Sequence, residues 1–183
     1  MNQTAHIQFD NLWSKDRELQ NKAFTDILKV TDKPIDWAYE VWDELLANLT
    51  HKDNHNRAIA AQVLCNLAKS DPKNRMVKDF DKLLAVTKDK RFVTARHCLQ
   101  ALWKVGVAGK KQQKVYMEGL EDRFQECITE KNCTLIRYDI LQSMRNVYDV
   151  AKDVKIKETA LALIETEEDA KYRKKYASLW RGV

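Results

Sequence analysis

The chain has 183 residues, 44% of them apolar and 32% charged, with only four glycines and two prolines. Such a composition excludes a disordered chain and disfavours a β-rich, turn-dense one, while the length suffices for one domain with a sizeable core, read as spanning 1–183. The formal charge of +5 is local: Lys171, Arg173, Lys174, Lys175 and Arg181 lie in a stretch without acids, and the remainder balances at zero.

No apolar run approaches the roughly 20 residues that cross a bilayer. The opening MNQTAHIQFDNLW lacks the basic and apolar regions of a secretory leader. Together with four cysteines that show no metal-ligand spacing (Cys65, Cys98, Cys127 and Cys133), this leads us to expect free thiols, a cytoplasmic location and no membrane partner. The glycosylation sequons at Asn2, Asn48 and Asn132 are then coincidental.

In chain order, apolar spacing predicts ten helices, near 5–13, 15–30, 35–49, 54–69, 73–87, 90–105, 111–129, 133–149, 153–165 and 167–181. The third and fifth open alike: WDELLA begins at Trp42 and FDKLLA at Phe80, 38 residues later. Weaker copies, FDNLW and LEDRFQ, begin at Phe9 and Leu120. Core columns are predicted along Ala38, Trp42, Leu45 and Leu49, and along Val77, Phe80, Leu84 and Thr87. A second pattern follows each first helix, as AAQVLCNLA from Ala60, CLQALWKVG from Cys98 and ILQSMRNVY from Ile140. These align Leu64, Leu102 and Met144 in one column and Leu67, Val105 and Val147 in the next, with Ile27 and Val30 as earlier members. Pro34 and Pro72 suit the first turns of the third and fifth helices, where a missing N–H costs nothing. Asp53, Asp89 and Asn132 are placed as N-caps of second helices, and Gly106 and Gly109 bracket a break.

A recurring helix pair of 37–42 residues, with Asp53 before its second helix, Arg57 early in that helix and the run AAQVLCNLA, resembles the HEAT repeat. The stretch TARHCLQALWKVG from Thr94 is similar, and the resemblance spans roughly residues 35–150. It implies an all-α, armadillo-like fold: a short superhelical solenoid of about four to five antiparallel helix pairs. It also implies a scaffold that binds other macromolecules across the concave face lined by the second helices. A smaller branch, similar to alkylpurine DNA glycosylases, uses such a solenoid to hold DNA.

On a helical wheel of 100° per residue, the positions two before and two after the Leu64/Leu102/Met144 column point away from the core. They read Gln62 and Asn66, Gln100 and Lys104, Gln142 and Asn146, with Thr25 and Lys29 one repeat earlier. Arg96, Trp103, Tyr138 and Arg145 lie beside them. A solvated face explains such a ladder too, but its amides and aromatics suit adaptable recognition better than the Glu/Lys pairs of an idle surface. These ten residues, without Thr25 and Lys29, are the candidate partner-binding face. Trp103 has a competing explanation in packing between repeats.

Arg57 and Arg137 point inward at helix starts and require acidic partners, so an Asp–Arg ladder between repeats is expected, with Asp53 as an acceptor and the third repeat broken at Ala95. In HKDNH, residues 51–55, capping by Asp53 is preferred to metal binding. The basic run at 171–181 follows TEED and reads as a terminal helix with its charges arranged along its dipole, Glu167–Lys171 and Asp169–Arg173 forming pairs and Tyr172, Tyr176 and Trp180 sealing the core. No nucleophile–base pair, phosphate cradle or metal site is found. Only Asp139, beside Tyr138, could serve a glycosylase-like reaction. We therefore expect a non-enzymatic protein-binding scaffold without cofactor or metal. A nucleic-acid-binding solenoid and a structural subunit of a larger assembly are the alternatives.

Overall fold

The computed structural model describes residues 1–183 and is entirely helical. Eleven α-helical segments follow one another: α1 (Gln3–Asn11), α2 (Arg17–Val30), α3 (Ala38–Asn48), α4 (Asn54–Leu67), α5 (Arg75–Val86), α6 (Phe92–Ala101), α7 (Trp103–Gly106), α8 (Lys110–Glu126), α9 (Cys133–Ala151), α10 (Val154–Glu165) and α11 (Ala170–Ser178). Leu102 alone separates α6 from the single turn of α7, in helical backbone geometry, so the two act as one interrupted helix. Every helix predicted from apolar spacing is present. None is long and apolar enough to cross a membrane.

Contacts sort the helices into two rows. In one row, α2 meets α4, α4 meets α6, α6 meets α9 and α9 meets α11. The other row holds α1, α3, α5, α8 and α10, each packed on the helix that follows it or, for α8, also on the α7 turn before it. One continuous apolar core runs between the rows from Ala5 to Trp180. Leu64, Leu102 and Met144, and likewise Leu67, Val105 and Val147, are fully buried, so these apolar columns face the core as their spacing predicts. A one-residue error would have turned a helix by 100° and exposed these columns.

Local deviations have local causes. Val30, the last residue of α2, is 41% exposed and does not join the core column, whereas Thr31 at the C-cap is buried. The buried face of α5 is Met76, Phe80, Leu83 and Val86, with Thr87 at its C-cap, so Val77 and Leu84 lie at the margin rather than in the column. Leu83 and Leu84 are equally apolar, and only packing separates them. Pro34 and Pro72 precede α3 and α5 instead of opening them. After Pro72 the start of α5 is tied by Asp71, whose carboxylate accepts from the backbone N–H of Arg75 and of Met76. Asp53, Asp153 and Asp169 cap α4, α10 and α11 as side-chain acceptors. Asn132 makes no such bond, and Asp89 accepts from Arg91 N–H just ahead of α6.

The inward Arg57 and Arg137, and the more exposed Arg17 and Arg96, find acidic partners at the next helix of the row. Arg17 bonds Asp53 at 2.8 Å, and Arg57 grips Asp89 through Nε and Nη2. Arg96 grips Asp139 at 2.6 and 3.0 Å, and Arg137 bonds Glu167 at 2.9 Å. The ladder is thus more complete than the sequence indicates. The third rung is rebuilt from the neighbouring position, Arg96, because Ala95 occupies the usual column. Glu167 is consumed by this ladder and makes no pair with Lys171. The Arg173 guanidinium donates to the Glu167 carbonyl and forms no ion pair with the Asp169 carboxylate. Tyr176 and Trp180 are buried against the end of the core, and Tyr172 is half-buried beside them.

Candidate functional site

The residues predicted to form a solvent-facing ladder are largely committed to one another. Asn66 is buried, 1% exposed, and its amide donates to Leu28 O at 3.1 Å and Thr31 Oγ1 at 3.0 Å. Its carbonyl oxygen accepts from Lys104 Nζ. That corrects both positions: Asn66 is a tie between α2 and α4, and Lys104 is half-buried, its ammonium pKa held below the ordinary value by burial. A residue pointing away from its own helix's core column is covered here by the neighbouring helix.

Arg96, Gln100 and Asp139 form one cluster, Gln100 Nε2 lying 3.4 Å from Asp139 Oδ1. Asp139 is 3% exposed and held by a bidentate guanidinium, so it offers no free carboxylate for glycosylase-like chemistry. Arg145 binds Asp149 on its own helix and donates to Leu179 O at 2.6 Å, which fastens the C-terminal end of α11. Gln142 donates to Asn146 at 3.0 Å, and Gln62 to Ala58 O at 3.0 Å. Trp103 is half-buried against the core; Tyr138 is half-buried with Lys175 Nζ 4.9 Å above its ring. Of the ten, only Gln100 is well exposed to solvent. In HKDNH, Asp53 accepts from the Arg17 guanidinium and from His55 N–H, which lower its carboxyl pKa.

The structure instead opens a cavity of about 250 Å³ at the N-terminal halves of α2, α4 and α6. Its apolar lining is Phe24, Ala58, Ile59 and Val93; its polar lining is Gln20, Asn21, Asn54, His55, Gln62, Thr94 and His97. No lysine, arginine, aspartate or glutamate lines it. Gln62 is the single residue shared with the predicted face. Helical geometry explains the shared helices: Ala58 and Ile59 lie about one turn N-terminal to Gln62 on α4, and Val93 and His97 lie one turn apart on α6. Position 58, on one wall, is an alanine where the aligned positions of α6 and α9 carry Arg96 and Tyr138. The smaller side chain is visible in the sequence, but that it borders an open space is decided by the flanking helices α2 and α6. Gln20 is buried and donates to Leu12 O at 2.8 Å and Asn56 Oδ1 at 3.1 Å, so the wall on the α2 side is fixed. Thr94 donates to Asn54 O at 3.3 Å and fixes α6 against α4. Val93 is 64% exposed at the mouth.

The thiols do not contribute. Burial pushes Cys65 up to about 12, and Cys98 donates to Leu83 O, its thiol also raised by burial. His97 projects into the cavity from the adjacent position, but the cysteine beside it faces the core.

No family model and no curated protein matches the chain. Among solved structures it is similar to the crystal structure of an engineered protein from a structural genomics consortium, at 17% identity and a TM-score of 0.51. The match covers 98% of this chain and 47% of that one, so the chain spans about half the length of the protein it resembles. At that identity the likeness concerns the all-helical fold alone.

Proposed function

We propose that the chain is a short HEAT-like α-solenoid of four to five helix pairs that works as a non-catalytic scaffold, holding a segment of another protein on the face of its second helices. The observation that carries this reading is the uncharged cavity across α2, α4 and α6. Its volume of about 250 Å³ falls below the range typical of small-molecule sites but accommodates one or two anchoring side chains. Apolar walls from Phe24, Ala58, Ile59 and Val93, rimmed by amides and imidazoles, suit an apolar anchor flanked by peptide backbone that needs hydrogen-bond partners. A nucleic-acid partner on this face is supported less well. Of the cations that could neutralise phosphates there, Arg96 and Arg145 are held by carboxylates and Lys104 by Asn66. Four cysteines without a disulfide fit a reducing, cytoplasmic setting.

Peptide-display selection against the intact protein, with Ala58→Arg and His97→Glu variants as counter-targets, tests the reading. Selected peptides should bind the parent and lose at least about tenfold in affinity on either variant, a difference of about 1.4 kcal/mol. Equal binding to parent and variants would refute a role for the cavity. Submicromolar duplex-DNA binding at near-physiological salt, abolished by Arg96→Ala/Lys104→Ala/Arg145→Ala, would transfer the function to nucleic acid.

A further inference from the structure

We propose a second binding surface on the edge where α4 passes to α5, α7 to α8 and α9 to α10, fitted to an extended acidic peptide that carries aliphatic side chains. Three depressions of about 380, 280 and 330 Å³ adjoin there, and Lys110 lines all three. Together they form a shallow, open trough. From Trp103 to Met117 the chain contains four lysines and no acid. Lys69 is paired with Asp32, and Lys114 approaches Glu118 at 3.9 Å, whereas Lys110, Lys111 and Lys155 are exposed without a carboxylate partner. Two of the three carboxylates in the trough are already bonded to backbone: Asp71 to the N–H groups of Arg75 and Met76, Asp153 to that of Lys155. The third, Glu121, is half-buried at the α8–α10 end.

Lys110 and Lys111 also occupy the first turn of α8, whose N-terminus has no side-chain cap. Cations there oppose the positive end of the helix dipole, an arrangement that carboxylates from a partner would relieve. The chemistry of the walls selects among polyanions. No aromatic side chain lines the trough, so unpaired bases have nothing to stack on. No arginine lines it either, so anions meet lysine point charges that take carboxylate as well as phosphate, and the apolar surface between the lysines decides the choice. Between the lysines run Val107, Ala151 and Val150, the last 62% exposed, which provide apolar contact for aliphatic residues alternating with acids.

Fluorescence anisotropy of the full chain with a labelled peptide of alternating glutamate and valine tests the proposal. Glutamate–serine and lysine–valine peptides, a short DNA duplex and phosphatidylserine vesicles serve as comparators. We expect the glutamate–valine peptide to bind at least about tenfold more tightly than any comparator, and to weaken when salt rises from about 50 to about 200 mM. The Lys110→Glu/Lys111→Glu/Lys155→Glu variant, folded by circular dichroism, should lose this binding, while Ala58→Arg keeps it. Retention by the triple variant, equal binding of the serine peptide, tighter binding of duplex or vesicles, or no binding of the glutamate–valine peptide would each overturn the proposal. Because Ala58→Arg blocks the cavity and the lysine variant blocks the edge, failure of one reading is distinguishable from failure of the other.

Discussion

Replacing Arg57 with methionine probes the ladder at its most enclosed rung. The side chains of Arg57 and Asp89 are 9% and 6% exposed. The guanidinium bonds both oxygens of Asp89 and the carbonyls of His51 and Lys52, at 2.7 and 3.1 Å. Methionine retains much of the apolar stem but leaves two carbonyls without their donor and the Asp89 carboxylate with the Arg91 N–H alone. Removing one partner of such a buried pair costs about 3–5 kcal/mol, and a domain of this size loses roughly 2–4 °C per kcal/mol. We expect a fall in melting temperature of roughly 6–20 °C. The exposed rung is the internal control: Arg17→Ala, where the side chains are 48% and 31% exposed, should cost less than about 1 kcal/mol.

Burial raises the Asp89 carboxyl, but the Arg57 guanidinium and the Arg91 N–H more than offset it, leaving its pKa below the ordinary value. A depressed folded pKa contributes stability above the unfolded value of about 3.9 that is lost as pH falls through the folded one. The gap between parent and Arg57→Met should therefore be full at neutral pH and shrink below about pH 4. Urea unfolding of the cycle Arg57→Met, Asp89→Asn and the double variant measures the coupling. A loss under about 1 kcal/mol, or additivity within about 0.5 kcal/mol, would refute the ladder as an energetic element.

Gly106→Ala should destabilise by about 1–3 kcal/mol in urea titration, because a Cβ there would lie 2.6 Å from Val147 Cγ2 and 3.0 Å from Tyr116 Cδ1 inside the core. Trp42→Phe should cost about 1–3 kcal/mol, since it removes the indole donor 3.0 Å from Asp79 at a fully buried position; a stable variant in thermal unfolding would contradict this. Native protein treated with a thiol reagent should modify Cys133 first, because Cys65, Cys98 and Cys127 are buried, and Cys65 and Cys127 are pushed up to about 12. Mass spectrometry finding early modification at Cys65 would count against the packing of α4.

Periodicity alone carried the helices, their order and the columns Leu64/Leu102/Met144 and Leu67/Val105/Val147, because apolar positions repeat at the helix's own 100° and each column must face one core. The need for acidic partners at Arg57 and Arg137 was equally legible, since a charge directed inward cannot stand alone. What it could not yield was the partner of any polar side chain. Asn66 meets Thr31, Lys104 meets Asn66 and Arg96 meets Asp139 across 35 to 43 residues of chain. Whether such groups face water or one another depends on how closely and at what height neighbouring helices cross, which apolar spacing leaves open. The same dependence hid the cavity. Ala58 creates space only because α2 and α6 flank it, and the residues around that space belong to three helices whose relative heights are set by the folded stack.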